Sequence, residues 1–250
     1  MVVDTRPLIT LSGQRIGWER AITHFLVLGQ TGSGKSFIAQ AILADIAHKT
    51  AHLPIEKRAL LVACDPKSED WLFAENSPNC FFGDDSYKAI ELVYNELLSR
   101  KSDKSKPRNS LVLFCEELTS LVETLPSKQK KETQHQLKII LLQGRSIGIR
   151  LLCVSQDLMA EVLGNSSLRN QFGAVLGLGS IASRSAISSS IFDLELGQKL
   201  STLPKKHGWY QVFDGSPPIK VKVANIRDID KVQEVLLEML NRYQPTEQVR

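Results

Sequence analysis

The segment GQTGSGKS, residues 29–36, constrains the fold of this chain more than any other feature. It fits the pattern G-x-x-x-x-G-K-[ST], and it stands where that pattern has meaning: an apolar run, THFLVLG (23–29), leads into it and a helical pattern (35–48) leaves it. A chain that turns from strand to helix over so few residues needs glycine. Gly29, Gly32 and Gly34 let the backbone wrap close to phosphate with its N–H groups pointing inward, and the positive end of the helix favours the anion. Lys35 is expected to reach the β- and γ-phosphates of a nucleotide, and Ser36 to ligate Mg²⁺. The contacting stretch runs through Gly29, Gln30, Thr31, Gly32, Ser33, Gly34, Lys35, Ser36 and Phe37. A flexible Gly/Ser loop with a chance lysine would have neither the strand before it nor the helix after it.

The rest of the chain repeats the same alternation. Continuous apolar runs of four to seven residues lie within 23–29, 58–65, 110–116, 149–156 and 173–179, with helical patterns at 35–48, 86–102, 128–145 and 182–191. Runs without polar alternation mark strands covered on both faces, as in a parallel sheet between helical layers. The expected fold is therefore a doubly wound α/β sheet. Near the end, GWYQVF (208–213) and IKVKVANI (219–226) alternate and predict a C-terminal antiparallel hairpin at one sheet edge, followed by a helix over 228–242 and a polar tail. The charged stretch 100–110 reads as a surface loop within one domain covering residues 1–250.

A second motif, LVLFCEELTS (111–120), ends a strand in two adjacent glutamates. Mg²⁺ needs hard oxygen ligands, and in phosphate-loop enzymes a second strand supplies one. This assigns Glu116 to the metal and Glu117 to polarising the attacking water. The plainer alternative is two solvated acids at the start of a helix, favoured by its dipole. Gln156 leaves a strand at its carboxyl end, where open α/β sheets bind ligands, and is a candidate γ-phosphate or water sensor. Arg145 and Arg184 are candidate phosphate-contacting arginines, of the kind a neighbouring subunit donates to transition-state charge; each could equally serve a surface ion pair.

The 250 residues are 42% apolar, enough for a compact α/β domain, and the net charge of +4 permits an anionic partner without demanding one. No window approaches the roughly 20 apolar residues of a membrane span, and the start lacks a signal-peptide core, so a cytosolic protein is expected. Cys64, Cys80, Cys115 and Cys153 show no CxxC spacing and read as buried reduced thiols. His48 and His52 have helical ligand spacing but no evident third ligand.

Taken in order, these pieces resemble the motor domain of the FtsK/SpoIIIE DNA translocases, part of the wider FtsK–HerA group that includes conjugative coupling proteins. The likeness rests on the phosphate loop, on LLVACDPKSEDW with Asp65, Pro66 and Lys67, on LVLFCEELTSL, on GRSIGIRLLCVSQ, on SLRNQFGAVLGLGSIASRSAI and on LPKKHGWYQV, which span residues 20–226 in family order. The chain departs from the family pattern at Glu116, where the family has aspartate. The resemblance implies a RecA-like phosphate-loop NTPase whose Gln156 strand lies between the phosphate-loop strand and the acid strand. It also implies a ring, usually a hexamer, with ATP at subunit interfaces and arginines supplied in trans.

The leading expectation is a Mg²⁺-dependent ATPase that moves or remodels double-stranded DNA as a homo-oligomeric ring. It would be a stripped-down cytoplasmic motor suited to a plasmid, phage, conjugation or mobile-element process and brought there by a recruiting protein. Two further classes remain. One is an ATP-gated assembly or recruitment module with little translocation. The other is a small-molecule phosphotransferase, for which the chain offers no clear acceptor pocket or lid.

Overall fold

The computed structural model describes residues 5–18, 22–156, 160–163, 166–226 and 228–245. In chain order the first half comprises β1 (Leu8–Thr10), β2 (Arg15–Ile16), β3 (His24–Leu28), α1 (Lys35–Thr50), β4 (Leu60–Asp65), β5 (Cys80–Phe82) and α2 (Tyr87–Ser102). Next come β6 (Leu111–Cys115), α3 (Leu118–Thr124), α4 (Ser127–Gln143), β7 (Ile149–Ser155) and the short α5 (Ala160–Leu163). The chain closes with β8 (Ala174–Leu178), α6 (Ser185–Ile191), β9 (His207–Val212), β10 (Ile219–Val223) and α7 (Ile229–Arg242).

The strands form one sheet in the order β2-β1-β10-β9-β8-β3-β7-β6-β4-β5. From β8 to β5 every pairing is parallel; from β8 to β2 every pairing is antiparallel. Burial on both faces explains the unbroken apolar runs. In β6, Leu111, Leu113 and Cys115 pack into one core layer and Val112 and Phe114 into the other, all fully buried. The same alternation divides Phe25 and Val27 from Leu26 and Leu28 in β3. Helices α1 and α7 pack together on one face, and α2 and α4 on the other. The strand β7 pairs with β3 on one side and β6 on the other, the neighbourhood expected for the Gln156 strand.

Two parts differ from the expected layout. The hairpin β9–β10 is antiparallel as expected, but β1 and β2 extend the sheet beyond it. These strands are three and two residues long, joined by a turn in which Gly13 has φ 87°, too short for a periodic pattern to reveal. The helix expected at 182–191 begins only at Ser185, because a 3₁₀ turn occupies Ile181–Ser183 and Arg184 is extended. No helix among the described residues is long and apolar enough to cross a membrane.

Candidate functional site

The phosphate loop leaves β3 at the carboxyl end of the parallel strands, and its backbone explains its glycines. Gly34 caps α1 with φ 91°, a left-handed conformation that side chains disfavour. At Gly29 a Cβ would stand 2.4 Å from Ser33 Oγ and 3.2 Å from Leu178 Cβ and Lys35 Cγ, so a larger residue would have to displace the Ser33 side chain and crowd its neighbours. Lys35 lies almost buried beneath the loop and donates through Nζ to the Gln30 carbonyl at 3.3 Å. Gln30 is exposed, and its Oε1 accepts from Ser180 Oγ at 3.0 Å, tying the loop to the end of β8.

Glu116 and Glu117 follow β6 directly, and both are buried. Ser36 Oγ donates to Glu116 Oε1 at 2.9 Å across 80 positions of sequence. Glu117 Oε1 stands 3.4 Å from Lys35 Nζ and 3.9 Å from Lys67 Nζ. Glu117 does stand at the N-cap of α3, but neither glutamate is a solvated surface acid. Glu117 adopts φ 44°, a left-handed conformation that costs a non-glycine residue about 1–2 kcal/mol. It is held there by its neighbours: the Glu116 N–H donates to Cys64 O at 3.0 Å, and Glu117 O accepts from the Leu121 N–H at 3.1 Å. Backbone strain at an acid that faces a lysine is typical of a site that must aim a side chain.

Burial pushes the Glu116 carboxyl up to about 8; the nearby charge of Asp70 adds to this, the Ser36 hydroxyl opposes it, and Asp65 and Glu117 add smaller repulsions. Among the described residues Glu116 Oε2 and Ser33 Oγ are buried with no hydrogen-bond partner. A buried carboxyl that lacks a compensating charge, with one oxygen unsatisfied and a serine hydroxyl beside it, fits a hard divalent cation with oxygen ligands. Mg²⁺ would be held by Ser36 and Glu116, where it would offset negative charge on bound phosphates.

The other candidates separate. Gln156 follows β7 directly and is exposed, and the preceding Ser155 O accepts the Gly29 N–H at 3.2 Å, so the residue lies next to the phosphate loop. Arg184 is exposed just beyond β8, at the same end of the sheet. Arg145 lies at the opposite end, in a cleft of about 910 Å³ lined also by His52, Lys57, Arg108 and the first residues of β7. It cannot meet a nucleotide held by its own phosphate loop. The sequence alone assigned no role to Asp65 or Lys67; their packing against the acids is visible only once β4 is placed beside β6.

A family described as "Helicase HerA, central domain" matches residues 16–139. No curated protein matches the chain. Among solved structures, the conjugation coupling protein TcpA of pCW3 is 18% identical with a TM-score of 0.61, covering 92% of this chain and 70% of its own. The cytoplasmic domain of the type VII secretion ATPase EccC from Thermomonospora curvata is 17% identical with a TM-score of 0.63, over 98% of this chain and 33% of its own. EssC (ATPases 2 and 3) from Geobacillus thermodenitrificans is 14% identical with a TM-score of 0.63, over 94% of this chain and 47% of its own. The chain thus spans a third to a half of the length of those last two solved chains. The family match over residues 16–139, the sheet order and the phosphate loop together support a place for the chain in the FtsK–HerA group of P-loop ATPases.

Proposed function

We propose that this chain is a single ATPase domain, with its core at about residues 20–226, that hydrolyses ATP with Mg²⁺ and uses the cycle to move or remodel double-stranded DNA as a homo-oligomeric, hexameric ring. The observation that carries the hydrolytic part is the convergence of Lys35 and Ser36 on Glu117 and Glu116, at 3.4 and 2.9 Å, from elements 80 positions apart. Residues 29–37 would cradle the phosphates. Glu117 would accept a proton from water as the water oxygen bonds to the γ-phosphorus and the bond to the ADP oxygen breaks. Gln156 would orient that water or sense the γ-phosphate.

The position of Arg145 supports assembly. A guanidinium at the edge opposite its own phosphate loop can reach phosphate only on a neighbouring copy, and its cleft carries further basic residues. Arg184 is the second candidate for that role. DNA is the favoured cargo because TcpA is described as a conjugation coupling protein, which also favours a plasmid, phage, conjugation or mobile-element process in the cytoplasm. DNA contacts would run along the backbone and be insensitive to sequence.

EccC, described as a secretion ATPase, matches the fold equally well, so the cargo must be tested directly. ATP turnover measured with and without double-stranded DNA, alongside the mass of the assembly in ATP, makes that test. Strong DNA stimulation of a ring-sized species is expected. Tight ATP binding without turnover, even when oligomeric, would refute the motor and favour an ATP-gated assembly module.

A further inference from the structure

Asp65 ends β4, and both of its carboxylate oxygens are consumed by the loop that follows. Oδ1 accepts from the N–H groups of Lys67 and Ser68, each at 3.1 Å, and Oδ2 from those of Glu69, Asp70 and Trp71 at 2.9, 2.8 and 3.1 Å. Five charge-assisted bonds to one fully buried carboxylate hold a loop far more firmly than ordinary turn bonds. Two further contacts pin it. The buried Trp71 ring stacks on Phe114 of β6 with centroids 4.6 Å apart, and Gln40 Nε2 of α1 donates to Asp70 O at 3.3 Å. The loop is therefore fixed to both elements that carry the ATP-site side chains.

This platform presents Lys67, whose Nζ lies 3.9 Å from Glu117 Oε1, the same oxygen that Lys35 Nζ approaches. Glu117 thus sits between two ammonium groups from different segments, the start of α1 and the loop after β4. If Lys35 moves onto phosphate when nucleotide binds, Glu117 loses its nearer cation. Resting on the ATPase reading above, we propose that Lys67 is a positioning residue for Glu117, holding its carboxylate in line with the attacking water once Lys35 has turned to the nucleotide. The side chain of Lys67 is 38% exposed, so the pair adds little to stability and its removal leaves the fold intact.

The test is steady-state ATP hydrolysis by wild type, Lys67→Met, Lys67→Arg, Glu117→Gln and the Lys67→Met/Glu117→Gln double variant, with MANT-ATP binding measured on each. Lys67→Met should lower kcat about tenfold, a fraction of what a positioned base contributes, with KM and MANT-ATP affinity within about twofold of wild type. Lys67→Arg should recover most of the rate, and the double variant should be no slower than Glu117→Gln alone. Wild-type turnover with an equally active Lys67→Met would overturn the role of Lys67 and leave the ATPase reading standing. A Lys67→Met that loses MANT-ATP binding would also overturn it, placing Lys67 on phosphate instead. A wild-type chain that binds nucleotide and never hydrolyses it would overturn the ATPase reading, and this role with it.

Discussion

Mild acid should loosen the strand that leads into the phosphate loop, and the lever is His24. Its ring is buried at the start of β3, where Nε2 donates to Leu141 O at 3.1 Å and Nδ1 accepts from the Leu151 N–H at 3.0 Å. A carbonyl can only accept and an N–H can only donate, so both ring nitrogens are satisfied in the neutral form and a second proton would displace the Leu151 bond. Burial holds the pKa down to about 4 from its ordinary 6.5; the Leu141 carbonyl opposes this and the charge of Arg150 adds to it. Because the folded value lies below the unfolded one, the unfolded chain takes up more protons between them. The contribution of His24 is therefore complete above about pH 6.5 and shrinks as pH falls towards 4. Between pH 7 and pH 5 the loss is about 2 kcal/mol, at 1.36 kcal/mol per pH unit over the part of the window crossed. Urea unfolding of wild type and His24→Gln at both pH values measures it. The wild type should lose about 2 kcal/mol more than the variant on acidification. Parallel losses in the two proteins would refute the assignment of His24 as a buried neutral clamp.

Two further outcomes follow from the packing. Phe114→Ala, which empties a fully buried site and removes the stack on Trp71, should cost about 3–5 kcal/mol in denaturant unfolding; a cost under about 1 kcal/mol would contradict that packing. All four cysteines are free and buried; a thiol hydrogen bond, between Cys64 and Cys115 and between Cys115 and Cys153, and then burial push Cys64 and Cys115 up, so a thiol reagent at pH 8 should label none in the folded protein and all four in urea. Rapid labelling of the folded protein would show that this core is open.

What the sequence reveals here tracks chemistry that is local along the chain. The phosphate loop and the parallel strands are legible because strand, glycines and helix are contiguous, and because strands buried on both faces read as unbroken apolar runs. The strand order needed the family resemblance, since no local pattern says that β7 lies between β3 and β6. Glu116 and Glu117 are readable as acids ending a strand, but their burial, the left-handed turn at Glu117 and the raised pKa of Glu116 arise from packing against β4 and α1. Asp65 and Lys67 sit in a recognisable Asp-Pro-Lys run, yet only the folded chain reveals that the aspartate binds its own loop and the lysine faces Glu117. Arg145 is similar: a Gly-Arg pair before a strand does not say which end of the sheet it occupies. The two-residue β2 is too short to leave any periodic trace.

Lys35, Ser36, Glu116 and Glu117 are proposed to form one hydrolytic site. Its most direct test is ATP turnover and ATP binding in wild type and Glu117→Gln, measured with Mg²⁺ and double-stranded DNA present. The variant should bind ATP as tightly as wild type and hydrolyse it at least about a hundredfold more slowly. Unchanged turnover in Glu117→Gln would place the base elsewhere and remove Glu117 from the hydrolytic site.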